Sequence, residues 1–167
     1  MSSNNRHNPT QSSSPAISRS AWIILIVLSS VGLIPMYGET VIIPAIPDFI
    51  KEFGISYTTS SWIHAFLIAG AVMTPISGKL SDIYGKKKII LVIMCIYTIG
   101  VALGGFASNI SFMIIARILQ GIGISMFPIA FGMLKLQFPK EKLSIAQGIF
   151  TGVFTAGSAI GLALGGQ

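Results

Sequence analysis

Polar and apolar positions alternate along this chain in blocks rather than at the short period of a soluble core. Residues 1–20, MSSNNRHNPTQSSSPAISRS, are polar and Ser/Asn-rich. Such a segment has no apolar surface to bury and is expected to be a disordered tail. Five apolar blocks follow, at about 21–43, 60–78, 89–107, 111–136 and 143–166. Each is long enough to cross a hydrocarbon core of roughly 30 Å as a helix. The pattern therefore predicts an all-α membrane protein, with one transmembrane helical domain over 21–167. Pro35 and Pro44 in the first block and Pro75 in the second are expected to kink or end helices, which a membrane tolerates where neighbours satisfy the freed carbonyls. The last block runs to the end of the chain, so the domain is expected to be incomplete at its C-terminus.

Composition agrees. The chain is 52% hydrophobic and 10% charged, with mean hydropathy +0.78. A soluble domain carries about 25% charge. The net charge of +6 resembles that of a nucleic-acid binder only until it is mapped. Arg6, Arg19, Lys79, Lys86, Lys87, Lys88, Lys135, Lys140 and Lys142 fall on one side of the predicted spans, and Lys51 alone faces the other. Basic loops mark the cytoplasmic side, so the N-terminus is expected to be cytoplasmic in a multi-pass protein of the plasma or inner membrane. No aromatic residues interleave with a basic face, which argues against nucleic acid as a partner. Cys95 is the single cysteine and lies in an apolar block. It offers no disulfide and no metal pair, and reads as an inert packing thiol.

Charge gathers at one place, Ser77-Gly78-Lys79-Leu80-Ser81-Asp82-Ile83-Tyr84-Gly85-Lys86-Lys87-Lys88. Gly78 is expected to end one helix and Gly85 to permit a second turn. The lysines hold the loop at an anionic lipid surface. Asp82 stays ionised among cations, accepting from backbone amides at a helix N-terminus or pairing with a basic side chain. The spacing of Gly78, Asp82, Gly85, Lys86 and Lys87 resembles the motif between the second and third helices of the major facilitator superfamily. The resemblance implies that Asp82 latches onto the other half of a transporter. In the fourth block, Ala116-Arg117-Ile118-Leu119-Gln120-Gly121-Ile122-Gly123 resembles a second signature of that superfamily. Arg117, Gln120, Gly121, Ser125 and Pro128 fall on one helical face at 3.6 residues per turn. A charge inside a span is costly and usually faces a cavity or a partner.

In the fifth block, Gly148, Gly157, Gly161, Gly165 and Gly166 resemble the signature of drug–proton antiporters in the superfamily, with Leu162 where that signature has proline. Gly157, Gly161 and Gly165 form a small-residue stripe that permits close helix approach, and the resemblance implies packing against the second half. Gly38-Glu39-Thr40-Val41-Ile42-Ile43-Pro44-Ala45-Ile46-Pro47 looks like the start of fourteen-helix tetracycline and multidrug exporters. The resemblance covers about 20–167 and implies proton-coupled efflux of small amphipathic compounds by alternating access. The partners implied are the lipid bilayer, a small-molecule substrate, protons and a missing C-terminal half. The proton gradient, with no cofactor, is the implied energy source.

Glu39, His64 and Arg117 lie about four, four and six residues from the outer ends of their spans, hence in the outer third of the bilayer at ~1.5 Å per residue. Gly32, Pro35 and Glu39 share a face. Glu39 and Arg117 are expected to meet across a cavity, the guanidinium holding the carboxylate ionised until a proton or cationic substrate competes. Gln120 belongs to the same cavity, and His64 is a candidate proton relay. Other readings stay open: an uptake permease or uniporter of the same fold, or a truncated fragment without transport of its own. An enzyme is not indicated, since there is no metal cluster or nucleophile–base constellation. The Gly78-Lys79 pair lacks the phosphate-binding loop of an ATP-driven pump.

Overall fold

The computed structural model describes residues 17–54 and 56–165. Among them no strand occurs. The elements are α1 (Arg19–Thr40), α2 (Ile46–Phe53), α3 (Tyr57–Ser60), α4 (Ala65–Tyr84), α5 (Lys86–Gly105), α6 (Ile110–Ile122), α7 (Met126–Gln137) and α8 (Lys140–Gly165). Single 3₁₀ turns join α3 to α4 (Ser61–His64) and α6 to α7 (Gly123–Ser125). Sixteen residues of the expected tail, 1–16, lie outside the described residues.

Local chemistry sets the helix ends. The Ser18 side chain accepts from the Ser20 amide at 3.2 Å and caps α1. Asn109 does the same for α6, accepting from the Phe112 amide at 2.9 Å. These bonds satisfy amides that have no partner within the first helical turn. Between α7 and α8, Phe138 is extended, with φ −108° and ψ 139°, as the residue before a proline is disposed to be. The short helix α2 opens near Pro47 and closes at Gly54, whose φ of 59° is left-handed. It lies where the apolar pattern predicts only a connection.

Among the described residues, four segments are long and apolar enough to cross a membrane: Arg19–Thr40, Lys86–Gly105, Ile110–Gln137 and Lys140–Gly165. The remaining expected span, 60–78, differs from expectation at both ends. It opens as a 3₁₀ turn, and its helix does not stop at Gly78 but runs on to Tyr84, carrying Lys79 and Asp82 within it. Gly78 therefore is not a helix end. A lone glycine costs a helix only about 1 kcal/mol against alanine, and the intrahelical bonds around Gly78 outweigh that. The break falls at Gly85, with φ 96° and ψ 134°, a conformation open to glycine.

α1 packs along α8, while α6 lies between α4 and α5. A core joins α1, α5, α7 and α8 at the end where α1 begins. It contains Ala21, Leu25 and Leu28 of α1, Ile89, Ile90 and Ile93 of α5, Met126, Ile129 and Leu134 of α7, and Ala146 and Phe150 of α8. Trp22 meets Phe138 edge-on with centroids 6.2 Å apart. This places Arg19, Lys86 and Lys140 at one end of the bundle, opposite Glu39. Ile23, Ile26, Leu91, Val92, Ile99 and Ile115 are exposed on outer faces, as lipid-facing side chains are.

The two loop-region glycines now separate in kind. Neither has an atom within 4 Å of an added Cβ, so only backbone conformation distinguishes them. Gly85→Ala is expected to destabilise by about 1–3 kcal/mol, since alanine is strained at that φ. Gly78→Ala is expected to stabilise by up to about 1 kcal/mol. Thermal unfolding in detergent, followed by tryptophan fluorescence, reads both signs.

Candidate functional site

The site forms at the far end of the bundle, where α1, α5 and α6 converge. Pro35 and Glu39 of α1, Tyr97 of α5, and Arg117, Gln120 and Ile124 line an inner cavity of about 10 Å³. That is near the least volume that holds one water. Arg117 is 2% exposed and Gln120 is buried. Glu39, Arg117 and Gln120 are thus brought to one place. His64 is exposed, at the end of the 3₁₀ turn that precedes α4.

Close helix approach makes this possible. Gln120 donates through Nε2 to the Gly100 carbonyl of α5 at 2.9 Å. A Cβ at Gly100 would lie 2.9 Å from the Gln120 amide nitrogen, and one at Gly104 would lie 3.1 Å from Gln120 Nε2. The Gly100 and Gly104 pair is therefore a seat for α6. On the other side of α6, a Cβ at Gly70 of α4 would lie 2.9 Å from the Gly121 carbonyl oxygen. Below the cavity Ser77 and Ser125 share a hydrogen bond at 3.0 Å, and Ser125 donates to the Ile122 carbonyl at 2.7 Å. Pro128, expected on the same face as Arg117, is exposed instead. The 3₁₀ turn at Gly123–Ser125 resets the helical phase before α7 begins.

Two residues absent from the sequence reading matter here. Tyr97 is buried and its hydroxyl donates to the Ile34 carbonyl at 3.3 Å. It lines both the inner cavity and a wider cleft of about 600 Å³, whose other walls include Tyr37, Gly38, Met94, Met113, Arg117 and Gln120. That volume lies within the range of small-molecule sites. Gly100 is the second. Its spacing to Gly104 carried a readable small-residue signal; Tyr97, one aromatic in an apolar block, carried none.

The remaining motif residues lie elsewhere. Asp82 Oδ1 accepts from Lys86 Nζ at 2.8 Å, across the break at Gly85, with the Asp82 side chain 72% exposed. Of the two options open to that carboxylate, it takes the basic side chain. Lys87 is exposed beside it. The glycine stripe of α8 faces α1 rather than open space. A Cβ at Gly157 would lie 2.7 Å from the Leu33 carbonyl oxygen, and ones at Gly161 and Gly165 would collide with Thr40 and with Val41. This departs from the expectation that the stripe packs against a second half. α1 occupies it because the backbones there approach too closely for any side chain. Gly148 is exposed with nothing within 4 Å, and Gly166 lies outside the described residues.

Helices of spanning length, apolar outer faces and a polar cavity inside them define a multi-span membrane protein. The family model of the Major Facilitator Superfamily matches residues 21–167. The chain belongs to that superfamily, whose members are transporters rather than enzymes. It is 36% identical over 129 residues to the multidrug resistance protein 3 of Bacillus subtilis, a match covering 76% of this chain and 25% of the relative. It is 31% identical over 147 residues to the tetracenomycin C resistance and export protein of Streptomyces glaucescens, covering 87% of this chain and 27% of the relative. The chain thus spans about a quarter of the length of these relatives.

Gly100→Ala is expected to destabilise by about 1–3 kcal/mol, because the added methyl has no room between α5 and α6. Gly105→Ala, with nothing within 4 Å, is expected to be neutral. Equal melting temperatures for the two variants would contradict the close seat.

Proposed function

We propose that this chain is the N-terminal part of a proton-coupled exporter of small amphipathic compounds, working by alternating access with a second helix bundle. One observation carries the reading. An acid, a guanidinium and an amide from two different spans line one cavity beside a ligand-sized cleft. A bilayer interior penalises such groups heavily, so their convergence suits a pathway for charge. The name of the Streptomyces glaucescens relative, a resistance and export protein, supports export over uptake.

In this reading Glu39 is the proton carrier. Arg117 favours its ionised form, and a proton or cationic substrate displaces that interaction. Gln120 hydrogen-bonds the Gly100 carbonyl and so holds the cavity wall. His64, at the outer rim, passes protons between the cavity and bulk water. The basic end of the bundle is cytoplasmic, by the bias of lysine and arginine toward that side, and the membrane is the plasma or inner membrane. Asp82 sits at that end, held against Lys86, and is available to latch the second bundle in one access state. Rocking of the bundles then exposes a midplane site to either side in turn.

The first test uses everted membrane vesicles from cells expressing the whole reading frame, with ethidium as substrate and a pH-sensitive dye. Glu39→Gln is expected to abolish ethidium-dependent proton release while the protein still inserts. Coupling at the wild-type level in that variant would end the carboxylate's role. Asp82→Asn is expected to lower the transport rate at least severalfold. Its effect on thermal stability should stay below about 1 kcal/mol, since an exposed ion pair contributes little. An unchanged rate would remove the latch.

A further inference from the structure

Two of the helices at the site carry built-in weak points. In α1, Pro35 has no amide hydrogen, so the Val31 carbonyl loses its partner within the helix and the turn is open to bending. In the long segment Ile110–Gln137, the 3₁₀ turn Gly123–Ser125 interrupts the α-helix between α6 and α7, and such interruptions commonly mark hinges. These points lie on different elements, far apart in sequence. One side chain touches both.

That side chain is Tyr97. Its hydroxyl donates to the Ile34 carbonyl, in the peptide unit that leads into Pro35. The same hydroxyl lies over Gly38, where an added Cβ would come within 2.6 Å of the phenolic oxygen. At its other edge the ring covers Gly123, the first residue of the 3₁₀ turn, where an added Cβ would lie 2.6 Å from Cδ2 and 3.2 Å from Cγ. Neither helix leaves space for even a methyl group between itself and the ring. The contact is van der Waals-tight on one edge and hydrogen-bonded on the other. Bending at Pro35 moves the Ile34 carbonyl and Gly38, and the ring cannot follow without pressing on or leaving Gly123.

We propose that Tyr97 is a positioning residue of the transport cycle, a tie that makes the Pro35 bend of α1 and the Gly123–Ser125 break of α6–α7 move together. The role rests on the transport reading above, but not on which group carries the proton. Tyr97 also lines the wider cleft, but the role assigned here is its hold on two helices, and it exchanges no proton in this scheme. It transmits displacement of the turn that bears Glu39 to the span that bears Arg117.

The test is ethidium efflux by the full-length protein in everted vesicles, with rate measured against ethidium concentration and against pH. Tyr97→Phe keeps the ring and removes only the hydroxyl bond. It is expected to lower the maximal rate about tenfold and to shift the pH profile, with the KM for ethidium within twofold of wild type and the melting temperature unchanged. Gly123→Ala leaves the hydroxyl and displaces the ring from the other side; it should lower the maximal rate and shift the pH profile in the same way, with a lowered melting temperature because the methyl has no room beside the ring. Gly152→Ala on α8, with nothing within 4 Å, is the control and should behave as wild type. A wild-type maximal rate and pH profile in Tyr97→Phe overturns the tie. So does a loss of rate in that variant accompanied by an equal loss of melting temperature, since that marks a packing role alone. Glu39→Gln, measured in parallel, reads proton coupling separately: an uncoupled Glu39→Gln beside a normal Tyr97→Phe rejects the tie and leaves the coupling proposal standing.

Discussion

A guanidinium that is 2% exposed inside a membrane-spanning helix is the constraint around which the far end of this bundle is built. Taking an ionised group out of water into an apolar interior costs several kcal/mol even after relaxation, and a bilayer interior offers it no free solvent. Arg117 can be held there only among other polar groups gathered around it. Glu39 arrives from α1, Tyr97 from α5 and Gln120 from one turn further along its own helix. Each delivery needs backbones to approach closely. Glycines at 38, 100, 104 and 123 stand where that approach leaves no room for a side chain.

The two ends of the bundle consequently differ in physics. At the basic end the packing is apolar and interlocked. Phe127, Phe131, Phe150 and Phe154 meet at centroid distances from 4.9 to 6.2 Å, and Leu25, Ile129 and Leu134 are almost wholly buried. Such a core resists deformation, because each displaced atom loses contacts on every side. At the cavity end the contacts are single hydrogen bonds and glycine seats, beside a cleft of about 600 Å³. A proline turn and a 3₁₀ turn both lie toward that end. A rigid base below a compliant polar chamber is an arrangement that lets helix ends move while the domain stays folded.

The glycines of this chain perform at least two separate jobs. Gly85 is needed for its φ of 96°. Gly100, Gly157 and Gly161 are needed for helix proximity. Gly78 and Gly148 meet neither demand within the described residues, having open space around them and no positive φ. A motif written as a string of glycines conceals these differences, because the letter is the same whether backbone angle, neighbour or nothing local requires it.

Much of the architecture was legible in the order of residues alone. Apolar blocks mark spans because hydrocarbon excludes charge, and lysine-rich connections group the helix ends on one side for the same reason. Glu39, Arg117 and Gln120 stood out because polar groups within apolar blocks need an explanation. What the sequence could not convey is which element meets which. Helix α4 continues through Gly78 because the local preference of one glycine is small against the bonds of a whole helix. The α8 stripe seats α1, and Tyr97 wedges between Gly38 and Gly123, because partners distant along the chain meet only once the helices are packed. Periodicity and local propensity carry information over a few residues. A contact such as Tyr97 to Ile34, or Ser77 to Ser125, depends on the relative placement of whole helices, and only the tertiary structure decides that.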